Sequence, residues 1–174
     1  MALYRFGSSV PSFGEGTWIS DSARIIGDVV IGGDCYIGHG AILRGDYGSI
    51  RIGNGTAVEE NATVHINPDS LSVIGDRVTI GHAAVIHSCR IEDLAVIGMG
   101  AVLSFDVRIG RWAIVAEGSV VPRGVEIPAE KVVAGVPAKI VQDVQKYHKE
   151  FWTHGKQLYV DLAHRYPKEF ERVG

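Results

Sequence analysis

Aliphatic residues recur every six positions through most of this chain. They stand at Ile19, Ile25, Ile31, Ile37 and Leu43, resume at Ile52, Val58 and Val64, and continue at Ile74, Ile80 and Ile86. A last run takes in Ile91, Ile97, Leu103, Ile109, Val115, Val121, Ile127 and Val133. The residue two places earlier is usually small, as at Ala23, Cys35, Ala41, Ala62, Ala84, Cys89 and Ala95, and glycine often follows. This is the signature of a hexapeptide parallel β-helix. Three hexads close one triangular coil, the aliphatic and small side chains point inward, and coils stack at a strand spacing of about 4.8 Å. The pattern predicts an all-β, left-handed parallel β-helix domain over 18–137, with Cys35 and Cys89 as small core residues.

Three irregularities interrupt the period. Leu43 to Ile52 is nine residues, Val64 to Ile74 is ten, and Ile86 to Ile91 is five. The two insertions are expected to leave the scaffold as loops at coil corners, where function tends to sit. Residues 1–17 read as an extended arm with a loop. Beyond the turn signal Gly135-Val136-Pro137 the composition shifts to Lys, Glu, Gln, Leu and Tyr. Residues 138–174 are expected to form one or two α-helices, broken near Gly155 and Pro167 and packed alongside the β-helix. Val141, Val144, Tyr147, Phe151, Leu158 and Leu162 give the helical stripe that would make this contact.

Composition agrees with many short strands and tight turns. Val and Ile total 40 against 7 Leu, and Gly numbers 22 of 174 residues. That length is one domain's worth. A net charge of −3 with no basic stripe argues against nucleic acid as a partner. The longest uncharged apolar stretch, around Ala95 to Phe105, is too short to cross a membrane. Residues 1–20 lack the pattern of a signal peptide, and two cysteines do not make a disulfide framework, so a reducing, cytoplasmic setting is expected.

Histidines supply the candidate chemistry. Numbered through the insertions, the hexads at Leu43, Val64 and Ile86 share one face, which stacks Arg44, His65 and His87 in a column. Hexads at Ile37, Val58 and Ile80 share the preceding face, which stacks His39, Glu60 and His82 beside Glu59. Imidazoles one strand spacing apart can share a metal, since ligand nitrogens around zinc sit roughly 3.3 Å apart. Three imidazoles with an open fourth position would make a catalytic zinc site, whose metal would lower the pKa of bound water from about 15.7 to near 7.

The run Leu43-Arg44-Gly45-Asp46, with Val64-His65 and Gly81-His82-Ala83-Ala84-Val85-Ile86-His87, resembles the γ-class carbonic anhydrase family. Ile97-Gly98-Met99-Gly100-Ala101, Ala134-Gly135-Val136-Pro137-Ala138-Lys139 and the Tyr159-Val160-Asp161-Leu162-Ala163 end extend the likeness over nearly the whole chain. The resemblance implies a lyase that hydrates CO2 reversibly to bicarbonate through metal-bound hydroxide. It implies His65, His82 and His87 as ligands of Zn2+, or of Fe2+ or Co2+, with Arg44 and Asp46 close to the site at the subunit interface. His82 lies across a coil corner from the other two histidines. A homotrimer that sets the His82 face of one chain beside the His65/His87 face of the next would complete three sites.

Two departures stand out. Glu59 occupies the place where the family typically has a glutamine on the metal-bound water, and a carboxylate there can act as a general base. Glu60 stands where an aspartate is common. The insertion Ile66 to Leu71 is short and holds one carboxylate, where prototype members carry an acidic proton-shuttling loop. Two other functions share this repeat: an acyl-CoA-dependent acyltransferase or thioesterase, which needs one general-base histidine and no metal, and a non-catalytic metal-binding or scaffold trimer.

Overall fold

The computed structural model describes residues 3–174. They form a left-handed parallel β-helix of about seven turns, closed by a single C-terminal helix. Each coil contributes one short strand to each of three faces. The first face stacks strands through Ile25, Leu43, Val64, Ile86, Leu103 and Val121, in register. The second stacks Ile31, Ile52, Ile74, Ile91, Ile109 and Ile127. The third runs from Ile19 through Ile37, Val58, Ile80, Ile97 and Val115 to Val133. The hexad positions and the small residues before them fill one continuous core, and Cys35 and Cys89 lie in it as free, buried thiols.

The insertions behave differently from one another. Val64 to Ile74 does leave as a turn around Pro68-Asp69. The first insertion forms no corner loop. It is absorbed in one strand, Ile42–Ile52, which spans the corner between the first two faces. That strand pairs Gly27 with Gly45 and then Val29 with Ile50, so residues 46–49 bulge outward while Leu43, Ile50 and Ile52 stay buried. A bulge re-aims side chains without ending the ladder, and here it re-aims Asp46.

The arm is extended, and it also pairs with the solenoid. Leu3–Tyr4 and Ser12–Phe13 lie parallel to Arg24–Ile31 and supply the missing strands of the first coil. At the other end, Ala138–Asp143 is a strand, antiparallel to Lys131–Gly135. The helix starts only at Lys146 and runs unbroken to Glu169. Gly155 does not interrupt it, and Pro167 falls in its last turn, where only two helical residues remain for it to disrupt.

The helix docks through a different stripe from the one the sequence pattern favours. Tyr147, Phe151 and Leu158 are exposed, as is Val141 in the strand before it; of the expected contacts, Val144 is buried and Leu162 packs, partly buried, against the third face. Trp152, Lys156, Tyr159, Ala163 and Tyr166 pack against the third face instead. The outer residues of that face explain the choice. Trp18, Tyr36, Ala57, Thr79, Val96, Ile114 and Val132 form an almost wholly apolar ladder, all but Trp18 fully buried. No helix of the described residues is long and apolar enough to cross a membrane.

Candidate metal centre

Three neighbouring strands on the first face carry one half of the site. Ile42–Ile52, Thr63–His65 and Val85–His87 place Arg44, His65 and His87 directly beside one another. Each follows an inward-pointing aliphatic residue, so each side chain points outward. His65 Nδ1 lies 2.9 Å from His87 Nε2, and Arg44 Nη2 lies 2.6 Å from His65 Nε2. Burial holds both imidazoles below their usual pKa, and the Arg44 guanidinium adds to the effect at each. Both rings are therefore neutral at neutral pH, the form that donates a lone pair.

Asp46 reaches this group from the bulge. Its carboxylate lies 3.6 Å from Arg44 Nε and 3.6 Å from His65 Nε2, and Oδ1 is buried without a hydrogen-bond partner. Buried carboxylate oxygens are normally satisfied, so this one marks a place built for a further polar group. Gly45 permits the approach. A Cβ there would sit 2.6 Å from the Asp28 carbonyl oxygen on the coil beneath.

The other half lies across the corner, at the end of the third face. Glu59 and Glu60 bracket His82. Glu60 Oε2 lies 2.7 Å from His82 Nδ1, Glu59 Oε2 lies 3.1 Å from Nε2, and the His82 backbone N–H donates to the same Glu59 oxygen. Burial pushes Glu59 above its usual range, only partly countered by His82 and by the Tyr159 phenol of the helix. Burial acts the same way on Glu60, but hydrogen bonds from Tyr36 and His82 outweigh it and hold that carboxyl down.

Within the chain, then, Arg44, Asp46, His65 and His87 come together, and Glu59 and His82 come together, as two separate groups. Among the described residues no three His, Cys, Asp or Glu side chains converge as a metal cluster. The donor chemistry of both groups nonetheless fits a divalent metal. The 2.9 Å between imidazole nitrogens is close to the roughly 3.3 Å found between ligands of one zinc, and His82 has the carboxylate on its second nitrogen that metal-binding histidines ordinarily carry.

The remaining histidines do other work. His39 bonds Ser20 Oγ at 2.7 Å among Trp18, Tyr166 and Phe170, and His164 meets Asp34 at 2.7 Å. Met99 is 52% exposed. Tyr36 and Tyr159, which contact the two glutamates, are not legible from histidine spacing; their only signal is that aromatic side chains occupy facing positions on the third face and the tail.

Comparison with known proteins bears on this arrangement. The family model for bacterial transferase hexapeptide repeats (six repeats) matches residues 11–45. The Carnitine operon protein CaiE of Proteus sp. (strain LE138) is 34% identical over 165 residues, 95% of this chain and 84% of that protein. The mitochondrial gamma carbonic anhydrase 2 of Arabidopsis thaliana is 37% identical over 173 residues, 94% of this chain. The chain belongs to the γ-class carbonic anhydrase-like family of hexapeptide-repeat proteins. It spans 62% of the length of that plant carbonic anhydrase. A crystal structure of a hexapeptide transferase family protein from Anaplasma phagocytophilum superposes with a TM-score of 0.88 at 32% identity, covering 95% of this chain and 98% of that one. The γ-class family thus sits among transferases of the same fold, and fold alone does not choose between their chemistries.

Proposed function

We propose that this chain assembles as a homotrimeric γ-class carbonic anhydrase, a zinc-dependent lyase that interconverts CO2 and bicarbonate at sites shared between subunits. The observation that carries the reading is the division of the three histidines into two half-sites. One offers two neutral imidazoles with nitrogens 2.9 Å apart, and the other offers one imidazole oriented by a carboxylate at 2.7 Å. A threefold axis that brings the His82 corner of one chain to the His65/His87 face of the next completes a three-imidazole set. The outer ladder of the first face supports this: Ile42 and Val85 are more than a third exposed, beside Thr63, Val102 and Val120, as an apolar surface awaiting a partner requires.

Zn2+ held there, or Fe2+ or Co2+ in its place, would supply the acidity that makes water a nucleophile at neutral pH. The chain's own residues do the rest. His65, His87 and His82 hold the ligand geometry. Arg44 lies between Asp46 and His65 and compensates the carboxylate's charge. Asp46 Oδ1, without a hydrogen-bond partner among the described residues, is placed to accept a hydrogen bond from the attacking water or from bicarbonate. Glu59, whose carboxyl is pushed up by burial, is placed to take a proton at that centre. The buried free thiols of Cys35 and Cys89 support a reducing compartment such as the cytoplasm.

The test pairs metal analysis of the purified protein with a CO2-hydration assay, run with and without chelator. Stoichiometric zinc and chelator-sensitive hydration are expected. A metal-bearing protein without hydration would be a binding or scaffold trimer. The likeness to a hexapeptide transferase favours one second reading, acyl transfer from an acyl-CoA; metal-free protein that consumes acetyl-CoA would establish it and end the first. Glu59→Gln is expected to leave metal bound and to change the pH profile of hydration. An unaltered profile would uncouple Glu59 from proton removal.

A further inference from the structure

Glu60 is held from below as well as from His82. The Tyr36 phenol, one coil earlier on the third face, donates a 2.6 Å hydrogen bond to Glu60 Oε1, while Oε2 takes the 2.7 Å contact with His82 Nδ1. Tyr36 is 2% exposed and fixed by ring contacts with Trp18, at 5.1 Å between centroids, and with Tyr159 and Tyr166 of the helix. Gly38, two residues on, leaves the seat vacant: a Cβ there would lie 2.7 Å from Glu60 Oε1 and 2.9 Å from the Glu60 backbone nitrogen. A residue at 38 with any side chain would evict the carboxylate.

We propose that Tyr36 is a positioning residue of the metal centre, acting through Glu60 to fix the ring of His82 before metal or a neighbouring subunit arrives. The inference rests on the metal-site reading above. Its chemistry is a relay of three groups with one orientation each. Desolvation, with the Glu60 carboxylate close by, keeps the Tyr36 phenol protonated throughout the physiological range, so it always donates. Glu60 accepts the phenol's hydrogen bond on one oxygen and faces His82 Nδ1 with the other. With Nδ1 committed to Glu60, Nε2 is the nitrogen left for the shared site, where it lies 3.1 Å from Glu59 Oε2 and would exchange that contact for the metal. A rotamer-rich glutamate would otherwise lose this geometry: an exposed side chain of that length samples several orientations, and pinning one oxygen removes the freedom in advance. The helix enters the same device, since Tyr159 and Tyr166 hold the Tyr36 ring, which ties the third ligand's orientation to helix docking.

Tyr36→Phe removes only the hydroxyl and keeps the ring packing. Two measurements follow it. In metal-free protein, the His82 Nδ1–H proton is read by 1H–15N NMR; the wild type should show a downfield, slowly exchanging signal, and Tyr36→Phe should shift it upfield or broaden it. In a chelator competition, Tyr36→Phe should weaken zinc binding on the order of tenfold, within the range for lost outer-shell partners of metal ligands. Glu60→Gln should do the same, and Tyr36→Phe should add nothing in the Glu60→Gln background, whereas a merely structural loss would add to it. An unchanged His82 proton in Tyr36→Phe, or full additivity of the two substitutions, overturns the proposal. If the wild-type protein binds no zinc, the metal-site reading fails, and the NMR signal alone still decides whether Tyr36 sets the His82 ring.

Discussion

His65→Ala subunits mixed with His82→Ala subunits are expected to recover zinc binding that neither variant retains alone. Each single substitution removes one imidazole from every site of its own trimer, and a centre left with two protein nitrogens loses its metal by orders of magnitude in affinity. Fold should survive in both, because His65 and His82 project outward from the solenoid while Val64 and Ile80 fill the core beneath. In a random co-assembly an intact site needs a His82→Ala chain to supply the His65/His87 pair and a His65→Ala chain to supply His82. Each condition is met half the time, so about one quarter of the sites should regain metal. The measurement is zinc content after joint refolding and gel filtration. Mixed trimers that hold no zinc, or a native monomer with full zinc content, would rule out the shared site.

Lys156 carries the second large effect. It sits on the docked face of the helix, 1% exposed, with Nζ 3.0 Å from Thr79 Oγ1 and 3.0 Å from the Ala95 carbonyl oxygen. Burial pulls its ammonium down to about 7, Arg77 presses the same way, and Glu59 opposes them. In the unfolded chain the group titrates near 10.4. Between these values the unfolded state binds a proton that the folded state does not, so stability rises with pH from about 7 to about 10 and is lowest, and flat, below 7. The span is worth on the order of 4 kcal/mol. Lys156→Met keeps the length of the stem and removes the ionisable head. It should raise the melting temperature at pH 6 by roughly 10 °C, by the usual conversion of stability to temperature, and the gap to wild type should close by pH 10. The Ala95 carbonyl keeps its bond from the Thr79 backbone N–H, so only the Thr79 hydroxyl loses a partner. Equal curves for the two proteins across pH 6–10 would show that Lys156 is charged in the folded state.

The parts of this molecule that follow from one-dimensional order were legible in its sequence. Every hexad aliphatic from Ile19 to Val133 is buried, and counting through the insertions puts His65 on His87 and His82 on Glu60. The bulge at Asp46 was not legible, because nine residues between Leu43 and Ile52 satisfy either a corner loop or an outward kink, and packing of Gly45 over Asp28 decides between them. The contact stripe of the helix is not legible for a related reason. Apolar residues at helical spacing favour Phe151 and Leu158 as the contact, but the face to be covered, apolar with aromatic rings at one end and the Thr79 hydroxyl midway, takes Lys156, Tyr159, Leu162 and Tyr166 instead. The better signal lay on the partner: the outer ladder of the third face is apolar from Trp18 to Val132, while the second face carries Arg51, Arg90, Arg108 and Glu126 at the same rank. Reading the three outer ladders separately excludes the second face and leaves the first and third as the two to be covered.

The coil-on-coil register also sets what lengths of chain evolution can add. A whole coil, roughly eighteen residues of three hexads, inserted after Leu103 would lengthen the spiral and leave Arg44, His65 and His87 adjacent. The same eighteen residues placed between His65 and His87 would move those rings from one strand spacing to two, about 9.6 Å, too far for one ion. The two kinds of insertion are equal in size and in burial. Lineages of this fold can therefore grow at the C-terminal end of the stack, beyond Leu103, without limit from the chemistry, while the three coils from Leu43 to Ile86 are frozen in length.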